Sequence, residues 1–449
     1  MNTKFTYLAA LLALCVATAL AEPSVKLSSN TFTIAEGVTD AILEQIKADI
    51  GKVDKAKLAF ELKKIKNEDL AKLVAAFPEM TSLNISDSKE LDSLAPVAAL
   101  KNLTSIRTSS IAVADLAPLA GLTQLKSLEL SGDQFGPDLK WMTGLTNLTN
   151  ISISAGKKLT SFEGIPSLPA LKRIYIHGAA PADLTPLVTA LPGLEYLTLN
   201  GCTIADLTPL TALAKLEDLS LYGSTLKDFS PLAGCAKLRK LSYYAVKEAD
   251  FATLGKLTQL ETLHGGLTEL ADISWIENLD TNLRKFNVFS ERVKDYSPLA
   301  KTKVDHFTIW SMKVPVDLTS LGGATTLTFF KIWSMDKGVT AFEALGKLTA
   351  LKEVVINGVN KKEGSVDVAF LATLPDLEKL ELSDSPIVNF DAVAACTKLT
   401  LVDLAKATGI TSLAPLKKLP DLKYLTVTKG AFSDEELTGF GEKVKINQR

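Results

Sequence analysis

The chain repeats one short pattern, which is clearest in Leu213-Ala-Lys-Leu216-Glu-Asp-Leu219-Ser-Leu221. Close copies occupy Leu122–Leu130, Leu191–Leu199 and Leu374–Leu382. In each copy, leucine stands at the first, fourth, seventh and ninth positions. A pattern that recurs at a fixed period is typical of proteins built from stacked repeats, so the chain is predicted to form one solenoid.

The second apolar residue of the pattern, the anchor, gives the period. It recurs sixteen times from Met80 to Leu422, about every 23 residues. The alternation Leu219-Ser-Leu221 predicts a short strand with one buried face, because successive side chains of a strand point to opposite sides. A single strand cannot bury that face alone, so we expect successive coils to stack into a parallel sheet over a leucine core.

A second element follows several of the predicted strands and has the form Asp-x-x-Pro-Leu. It occurs at Asp115–Leu119, Asp183–Leu187, Asp206–Leu210, Asp228–Leu232 and Asp295–Leu299. Proline fixes φ for the first position of a helical turn, and the residue before it is held extended. We expect a short 3₁₀ or α-helical turn on the outer face of each coil, with the Ser or Thr before proline capping its free N–H groups.

Together the two elements resemble secreted bacterial leucine-rich repeat proteins of the short, internalin-like class. The resemblance covers about 350 residues. It implies an α/β solenoid, a right-handed superhelix of about 16 repeats of 22–23 residues, with a concave parallel β-sheet and helical turns on the convex side. The asparagine that usually follows the strand in this class is replaced here. The substitutes include Ser88, Asp133, Cys202, Ser224, Thr268 and Ser385.

The first residues of the chain differ from the repeats. Residues 1–21 carry one charge, Lys4, and a 15-residue apolar run that ends in Ala19-Leu20-Ala21. This pattern predicts a secretory signal peptide cleaved after Ala21, because the run is too short to span a bilayer. A lipoprotein signal at Cys15 is disfavoured by the bulky Leu14 before it. We therefore expect a secreted or periplasmic protein without a transmembrane segment.

Both ends of the repeat array are predicted to be capped. Apolar residues with helical spacing follow Thr39 and Asn67 and predict an N-terminal helical cap. Ser433-Asp-Glu-Glu436 is a capping-box pattern that predicts a short helix, and Val444-Lys-Ile446 is a candidate edge strand. The predicted organisation is a signal peptide at 1–21, an N-terminal cap at 22–79, repeats at 80–429 and a C-terminal cap at 430–449.

Composition disfavours several functional classes. The formal charge is −2, from 49 Lys and Arg against 51 Asp and Glu, so no basic excess is available to hold nucleic acid. Cys202, Cys235 and Cys396 are too widely spaced for a disulfide framework or a zinc site, and they occupy predicted core positions. Because no phosphate-binding loop or catalytic motif is present, we expect no enzymatic activity, no catalytic residue and no cofactor.

The residues that flank the inward leucines line the concave face of the predicted sheet. From the fifth repeat onward this face carries aromatic residues and all three histidines of the chain. One column of it reads Tyr222, Tyr244, Gly266, Phe289, Trp310 and Trp333. Rows of exposed aromatic side chains commonly mark binding surfaces. The candidate ligand-binding residues are Tyr175, His177, Tyr196, Tyr222, Tyr244, His264, Phe289, His306, Trp310, Phe329 and Trp333.

Two further features bear on this face. The strand spacing of about 4.8 Å separates the histidines by about 10 Å or more, so a shared metal site is not expected. An insertion, Val359–Ser365, lengthens the coil after Trp333. Such a loop either joins the rim of a binding site or is an ordinary solvated loop.

Two functions fit the sequence. The first is a secreted recognition module that binds a protein or a glycan across the aromatic face. The second is a structural envelope protein that self-associates, with its aromatic rings packed on each other for stability. Aromatic rows suit sugar rings, whereas the interleaved charges at Asp218, Lys240, Lys285 and Lys331 suit a protein epitope. Both ligand classes, and the oligomeric state, therefore stay open.

Overall fold

The computed structural model describes residues 25–132, 136–154, 158–181, 183–246, 250–267, 270–279, 281–290, 292–311, 315–334, 338–362, 364–440 and 442–449. The predicted signal peptide at 1–21 lies outside these ranges. The chain divides into two compact units. Unit 1 runs to Pro181 and includes Thr189–Leu191, and unit 2 consists of Ala182–Val188 with Pro192–Arg449.

Unit 1 is built on a sheet of eight described strands. They are β1 (Val25–Ser28), β2 (Thr31–Ile34), β3 (Ala59–Lys63), β4 (Ser82–Ser86), β5 (Ser105–Ser109), β6 (Ser127–Ser131), β7 (Asn150–Ser154) and β8 (Arg173–His177). β1 is antiparallel to β2, and each strand from β2 to β8 pairs in parallel with the next. The helices are α1 (Asp40–Asp49) and α2 (Asn67–Ala76). Short 3₁₀ turns occupy Ile50–Lys52, Lys55–Lys57, Ala95–Ala99, Ala117–Leu119 and Lys140–Met142.

Unit 2 continues the same repeat. Its strands are β9 (Tyr196–Asn200), β10 (Asp218–Tyr222), β11 (Lys240–Tyr244), β12 (Thr262–Leu267), β13 (Lys285–Ser290), β14 (His306–Ser311), β15 (Val316–Asp317), β16 (Phe329–Ser334), β17 (Val339–Thr340), β18 (Glu353–Asn357), β19 (Val366–Asp367), β20 (Lys379–Glu381), β21 (Ile387–Val388), β22 (Leu401–Asp403), β23 (Tyr424–Val427) and β24 (Lys445–Gln448). β15 pairs with β17 and β19 with β21, and the other strands form one parallel sheet in chain order.

Short helical elements alternate with these strands. The helices are α3 (Thr185–Ala190) and α4 (Asp434–Thr438). The 3₁₀ turns are Thr208–Ala212, Ser230–Gly234, Phe251–Lys256, Ser274–Leu279, Ser297–Lys301, Thr319–Gly323, Phe342–Lys347, Ala369–Thr373, Phe390–Ala395 and Leu416–Lys418. None of the helices in the described ranges is long and apolar enough to cross a membrane.

The leucine pattern forms the core, as the sequence predicts. Each of the sixteen anchors from Met80 to Leu422 is buried, with at most 4% of its surface exposed, and a strand begins two residues after each one. Inward strand residues such as Leu219 and Leu221 are fully buried. Because each coil covers the apolar face of its neighbour, the core is continuous within each unit.

The turns after the strands are capped differently from the prediction. The Asp of Asp-x-x-Pro-Leu, three residues before the proline, supplies the cap. Asp206 Oδ1 accepts from the backbone N–H of Thr208 at 2.8 Å, and Asp295 Oδ1 accepts from the backbone N–H of Ser297 at 2.8 Å. The expected Ser or Thr cap is therefore wrong, because the carboxylate already accepts from these N–H groups. Hydrogen bonds from the side chain and backbone of Thr208 also lower the pKa of Asp206.

Small polar side chains replace the missing asparagine as hydrogen-bond partners of backbone groups. Ser88 Oγ accepts from the backbone N–H of Ile65 in the preceding coil at 3.1 Å. Ser224 Oγ donates to the carbonyl of Cys202 at 3.1 Å, and Ser385 Oγ accepts from the N–H of Val359 at 3.0 Å. These bonds join neighbouring coils, so buried backbone groups stay satisfied without asparagine. Asp133 and Thr268 lie outside the described residues.

The N-terminal region contains more strand than predicted. Helices α1 and α2 occur where the helical spacing placed them, and Thr39 Oγ1 accepts from the N–H of Ile42 at 3.3 Å. However, β1, β2 and β3 also lie in this region, and β3 pairs directly with β4 of the first full repeat. The purely helical description of this cap is therefore incomplete, because the alternation Phe60-Glu-Leu62 already follows the strand pattern.

The C-terminal region contains the predicted helix and strand. Ser433 Oγ accepts from the N–H of Glu436 at 3.3 Å, which caps α4. Glu436 Oε1 accepts instead from the N–H of Leu413 in the preceding coil at 3.1 Å. β24 pairs in parallel with β23 and so continues the sheet of unit 2.

Candidate functional site

A column of aromatic side chains runs along unit 2, on the face of the sheet that points away from the leucine core. The aromatic column consists of Tyr222, Tyr244, Phe289, Trp310 and Trp333. The strand register aligns Tyr222 with Tyr244, then Gly266, Phe289, Trp310 and Trp333 in successive strands. The register predicted from the repeat spacing is thus confirmed, with Gly266 as the one gap in the column.

Neighbouring rings of the aromatic column contact each other. The ring centroids are 5.5 Å apart for Tyr222 and Tyr244 and 5.7 Å apart for Tyr244 and Phe289. The separations are 6.2 Å between Phe289 and Trp310 and 5.1 Å between Trp310 and Trp333, and both of these pairs meet edge to face. All four lie in the range of favourable aromatic pairs. Even so, the tyrosines and tryptophans remain 36–42% exposed.

A second aromatic pair lies beside the tryptophans. His306 on β14 and Phe329 on β16 are register neighbours, and their rings stack with centroids 5.3 Å apart. His306 Nδ1 lies 2.5 Å from Oδ1 of Asp305, which orients the imidazole ring. We call the aromatic column together with this pair the aromatic surface.

A cavity of about 400 Å³ opens beside the aromatic column. Its walls include the rings of Tyr222, Tyr244, Phe289 and Trp310. Its floor is formed by the polar side chains of Ser242, His264 and Asn287, which follow one another in register on β11, β12 and β13. These three side chains make no hydrogen bond or ion pair with any residue of the described ranges.

Two glycines on β12 shape the cavity. A Cβ at Gly266 would overlap Cδ2 of Tyr244, so the Tyr244 ring leans over the space that a side chain would fill. Tyr244 therefore reaches Phe289 across the glycine, although a strand separates them. Gly265 points to the opposite face, where a Cβ would overlap the hydroxyl of the buried Tyr243. Each glycine thus makes room for a tyrosine of the preceding strand.

The side chains that form the floor of the cavity carry no net charge at neutral pH. Burial lowers the pKa of His264, and Lys240 and Lys285 lower it further while Asp218 raises it. The imidazole is therefore uncharged at neutral pH and can donate from one nitrogen and accept at the other. Lys240 Nζ is itself held by Asp218 Oδ2 at 2.9 Å, so its charge is paired.

The remaining predicted residues lie on the last strand of unit 1 and the first strand of unit 2. Tyr175 and His177 are on β8 of unit 1, where His177 is exposed and pairs in register with Ser154. Tyr196 is on β9 of unit 2 and pairs in register with Asp218. The structure thus brings together His264 and the aromatic surface within unit 2, and a ligand-binding role for all of these residues stays a prediction.

The predicted insertion begins next to the aromatic column. A Cβ at Gly358 would lie 3.2 Å from the indole nitrogen of Trp333. Asn360 is buried and binds both backbone groups of Val339, with Oδ1 accepting at 2.6 Å and Nδ2 donating at 3.0 Å. Lys361 forms an ion pair with Asp384. The described part of this insertion is therefore anchored to neighbouring coils and borders the end of the aromatic surface.

Several residues that line and shape the cavity are not predicted from the sequence. Ser242, Tyr243 and Asn287 line the cavity but are not among the site residues that the sequence predicts. A usable signal was present, because Tyr243-Tyr244 is followed one coil later by Gly265-Gly266 in the same register. Two large residues opposite two glycines indicate that side chains from one strand occupy the space of the next.

The other reactive groups do not assemble into a site. Cys202, Cys235 and Cys396 are buried free thiols, as predicted. Burial raises the pKa of Cys235 to about 11 and of Cys396 to about 12, so neither thiol is a reactive thiolate at neutral pH. Within the described ranges, no group of histidine, cysteine, aspartate and glutamate side chains is arranged to hold a metal ion.

No protein-family model and no curated protein matches the chain. Among solved structures, a chain of the Toll–Spatzle complex of Drosophila aligns with a TM-score of 0.59 at 11% identity, over 92% of this chain and 64% of that one. A TLR13–ssRNA13 complex aligns with a TM-score of 0.55 at 18% identity, over 88% of this chain and 69% of that one. An internalin (inlF) of Listeria monocytogenes aligns with a TM-score of 0.42 at 20% identity, over 86% and 94%.

These similarities concern the fold. At such low identities they carry no information about ligands, but they agree with the parallel strands and buried leucines described above. The protein is a leucine-rich repeat solenoid.

Proposed function

We propose that this protein is a secreted recognition module that binds a protein or carbohydrate partner across the aromatic surface of unit 2. The observation that carries the proposal is the exposure of four large aromatic side chains in one column, where the ring of Phe289 joins the two tyrosines to the two tryptophans. Tyr222, Tyr244, Trp310 and Trp333 each keep 36–42% of their surface open to solvent. A row of this kind gains free energy when a partner covers it.

The residue types support this proposal. Tyrosine and tryptophan are enriched at the centres of binding interfaces, because they bring a large rigid contact area with a polar tip. Asp305 and His306, the neighbouring Lys285, and Lys331 between Phe329 and Trp333 on β16 supply polar groups that give an interface its specificity. The stacked repeats hold all of these side chains on regular strands, so the surface is preorganised.

Secretion and partner class rest on the sequence. The pattern of residues 1–21 predicts export. The formal charge of −2 gives no electrostatic basis for RNA or DNA, so a protein or carbohydrate is favoured although the TLR13 neighbour was solved with ssRNA. No catalytic role is proposed, because the sequence contains no catalytic motif.

One observation favours a second candidate function. The column rings contact each other at 5.1–6.2 Å, which is what packing for stability alone would produce. On that account the protein is a self-associating structural component of the cell envelope, and its aromatic surface has no separate ligand.

A comparison of ligand binding by the full chain and by the variant Trp310→Ala/Trp333→Ala distinguishes the recognition function from the structural function. The immobilised protein is exposed to envelope extract of the source organism and to a glycan panel, and affinities are then measured with the purified ligand. Truncation of interface tryptophans costs about 2 kcal/mol or more each, so we expect affinity to fall by at least about 30-fold. The matched control, Ser109→Ala/Ser131→Ala, changes the same repeat position in unit 1 and should bind normally.

Circular dichroism and thermal melting check that both variants fold. Unchanged affinity in the tryptophan variant would overturn the proposal. If the wild type instead sediments as concentration-dependent assemblies, binds nothing else, and becomes monomeric in the tryptophan variant, the structural role is correct.

A further inference from the structure

The cavity beside the aromatic column combines two kinds of lining. Its walls are aromatic rings, and its floor holds three uncharged polar side chains, Ser242, His264 and Asn287. Each of these three groups can both donate and accept a hydrogen bond. None of them is paired with another residue of the described ranges, so their hydrogen-bonding capacity is free.

This lining restricts what can fill the cavity. An apolar side chain from a protein partner would suit the rings but would bury the three polar groups without partners, and each such loss is costly. A cation can rest on aromatic ring faces, but the positive charges of Lys240 and Lys285, which lower the pKa of His264, oppose it at the floor. An anion would meet the negative faces of the rings. Lys240 is paired with Asp218, and neither Lys240 nor Lys285 is among the residues that line the cavity. A suitable ligand therefore has apolar ring faces and several hydroxyl groups at once.

The dimensions agree with a small ring-shaped ligand. A volume of about 400 Å³ lies within the range of small-molecule sites. Tyr222 on β10 and Trp310 on β14 stand at the two ends of the wall, each two strands away from β12, which carries His264 at the centre of the floor. The ring of Tyr244, leaning over Gly266, forms the side nearest the floor.

We propose that this cavity is a saccharide-binding subsite, in which one or two sugar rings of a glycan place their C–H faces against the aromatic walls and their hydroxyl groups on Ser242, His264 and Asn287. The inference rests on the proposed function, since it assumes that the aromatic surface binds a ligand, and it selects carbohydrate over protein as the ligand at this position. The lining side chains carry no charge, which favours a neutral sugar over an acidic one, although the positive charge of Lys285 acts on His264.

Titration of the full chain with defined saccharides tests the inference. The probes are di- and trisaccharides of glucose, galactose, mannose and N-acetylglucosamine, with a uronic-acid disaccharide as the acidic comparison. Binding is measured by calorimetry and by saturation-transfer NMR. We expect saturable binding of at least one neutral probe, and about a tenfold loss of affinity in His264→Ala and in Asn287→Ala, because each variant removes one hydrogen-bonding partner.

The matched control is Asn84→Ala, which removes an asparagine from the corresponding column of unit 1 and should leave the affinity unchanged. Absence of saccharide binding, or binding that both floor variants retain, overturns the inference. If a protein partner is lost in Trp310→Ala/Trp333→Ala but retained in the floor variants, the recognition function stands and the saccharide subsite is wrong. If no ligand depends on the tryptophans or the floor, both proposals fail.

Discussion

The two units place very different side chains on the same backbone positions. In unit 1, the column that corresponds to the aromatic column contains Ser86, Ser109, Ser131 and Ser154 in consecutive strands. The inward residues of the two units are alike, and both sets are buried. Unit 1 therefore shows that the repeat sheet forms with serine at these positions, so the fold does not require the aromatic rings of unit 2.

The cavities of the two units also differ in their lining, which is aromatic in unit 2 and largely polar in unit 1. A space of about 290 Å³ over β3 to β6 in unit 1 is lined mostly by serines, Asn84 and the charged residues Glu61, Arg107 and Glu129. Arg107 and Glu129 pair at 3.2 Å and are largely exposed, so the pair contributes little to stability. Covering a solvated polar surface of this kind releases little free energy, whereas covering the aromatic surface removes apolar area from water and is favourable. This difference supports the proposal that the binding surface lies in unit 2.

The adjacent glycines of β12 give the largest expected effect on stability. Gly265→Ala places a methyl group against the buried Tyr243 hydroxyl, and overpacking of this kind should lower the free energy of unfolding by about 1–3 kcal/mol. Gly266→Ala displaces the exposed ring of Tyr244 and weakens its contacts with Tyr222 and Phe289, so the free energy of unfolding should fall by a smaller amount, about 0.5–1 kcal/mol. Denaturant unfolding measures both.

The two units again provide the comparison for these glycines. Gly266→Ala should weaken ligand binding because it displaces a wall of the cavity, whereas Ser131→Ala at the same repeat position in unit 1 should change neither stability nor binding. A Gly266→Ala variant that is as unstable as Gly265→Ala would show that Tyr244 is part of the core, and the separation between core and binding face would then fail.

A smaller effect is expected at one inward position that both units share. Thr108 on β5 and Tyr243 on β11 occupy the same place in the strand, and each buries a hydroxyl that has no hydrogen-bond partner among the described residues. Burial without a partner is unfavourable, and it raises the pKa of Tyr243 well above its usual value. Thr108→Val and Tyr243→Phe should therefore each stabilise the protein by about 1 kcal/mol.

Chemical denaturation of the two single variants and the double variant measures these gains. Because the two sites lie in different units and share no contact partner in the described structure, the effects should add. A loss of stability in either variant would mean that its hydroxyl is hydrogen-bonded in solution.

The fold was predictable because its determinants are local and periodic. The leucines that repeat about every 23 residues place each strand two residues after an anchor, and strand alternation then fixes which side chains share a column. Tyr222 to Trp333 could be aligned on this basis alone. The leucine pattern begins at the anchor Met80 and therefore does not predict β1, β2 and β3, although Phe60 and Leu62 continue the alternation upstream.

The shape of the cavity beside the aromatic column is not predictable from the same rules. Its shape depends on the tilt of the Tyr244 ring over Gly266 and on the inward course of Tyr243 toward Gly265, and periodicity does not specify side-chain rotamers. The caps of the turns were misassigned for a similar reason. Asp and Ser or Thr both cap helical turns, and only the distances show that Asp206 and Asp295 accept the bonds.

The central claim is that the aromatic surface of unit 2, rather than the serine face of unit 1, contacts the partner. Hydroxyl-radical footprinting of the full chain, with and without its saturating ligand, tests it most directly. We predict that the ligand protects Tyr222, Tyr244, Trp310 and Trp333 from oxidation and leaves the β4–β7 segments of unit 1 unprotected. Protection confined to β4–β7, with the four aromatic residues still fully reactive, would contradict the account.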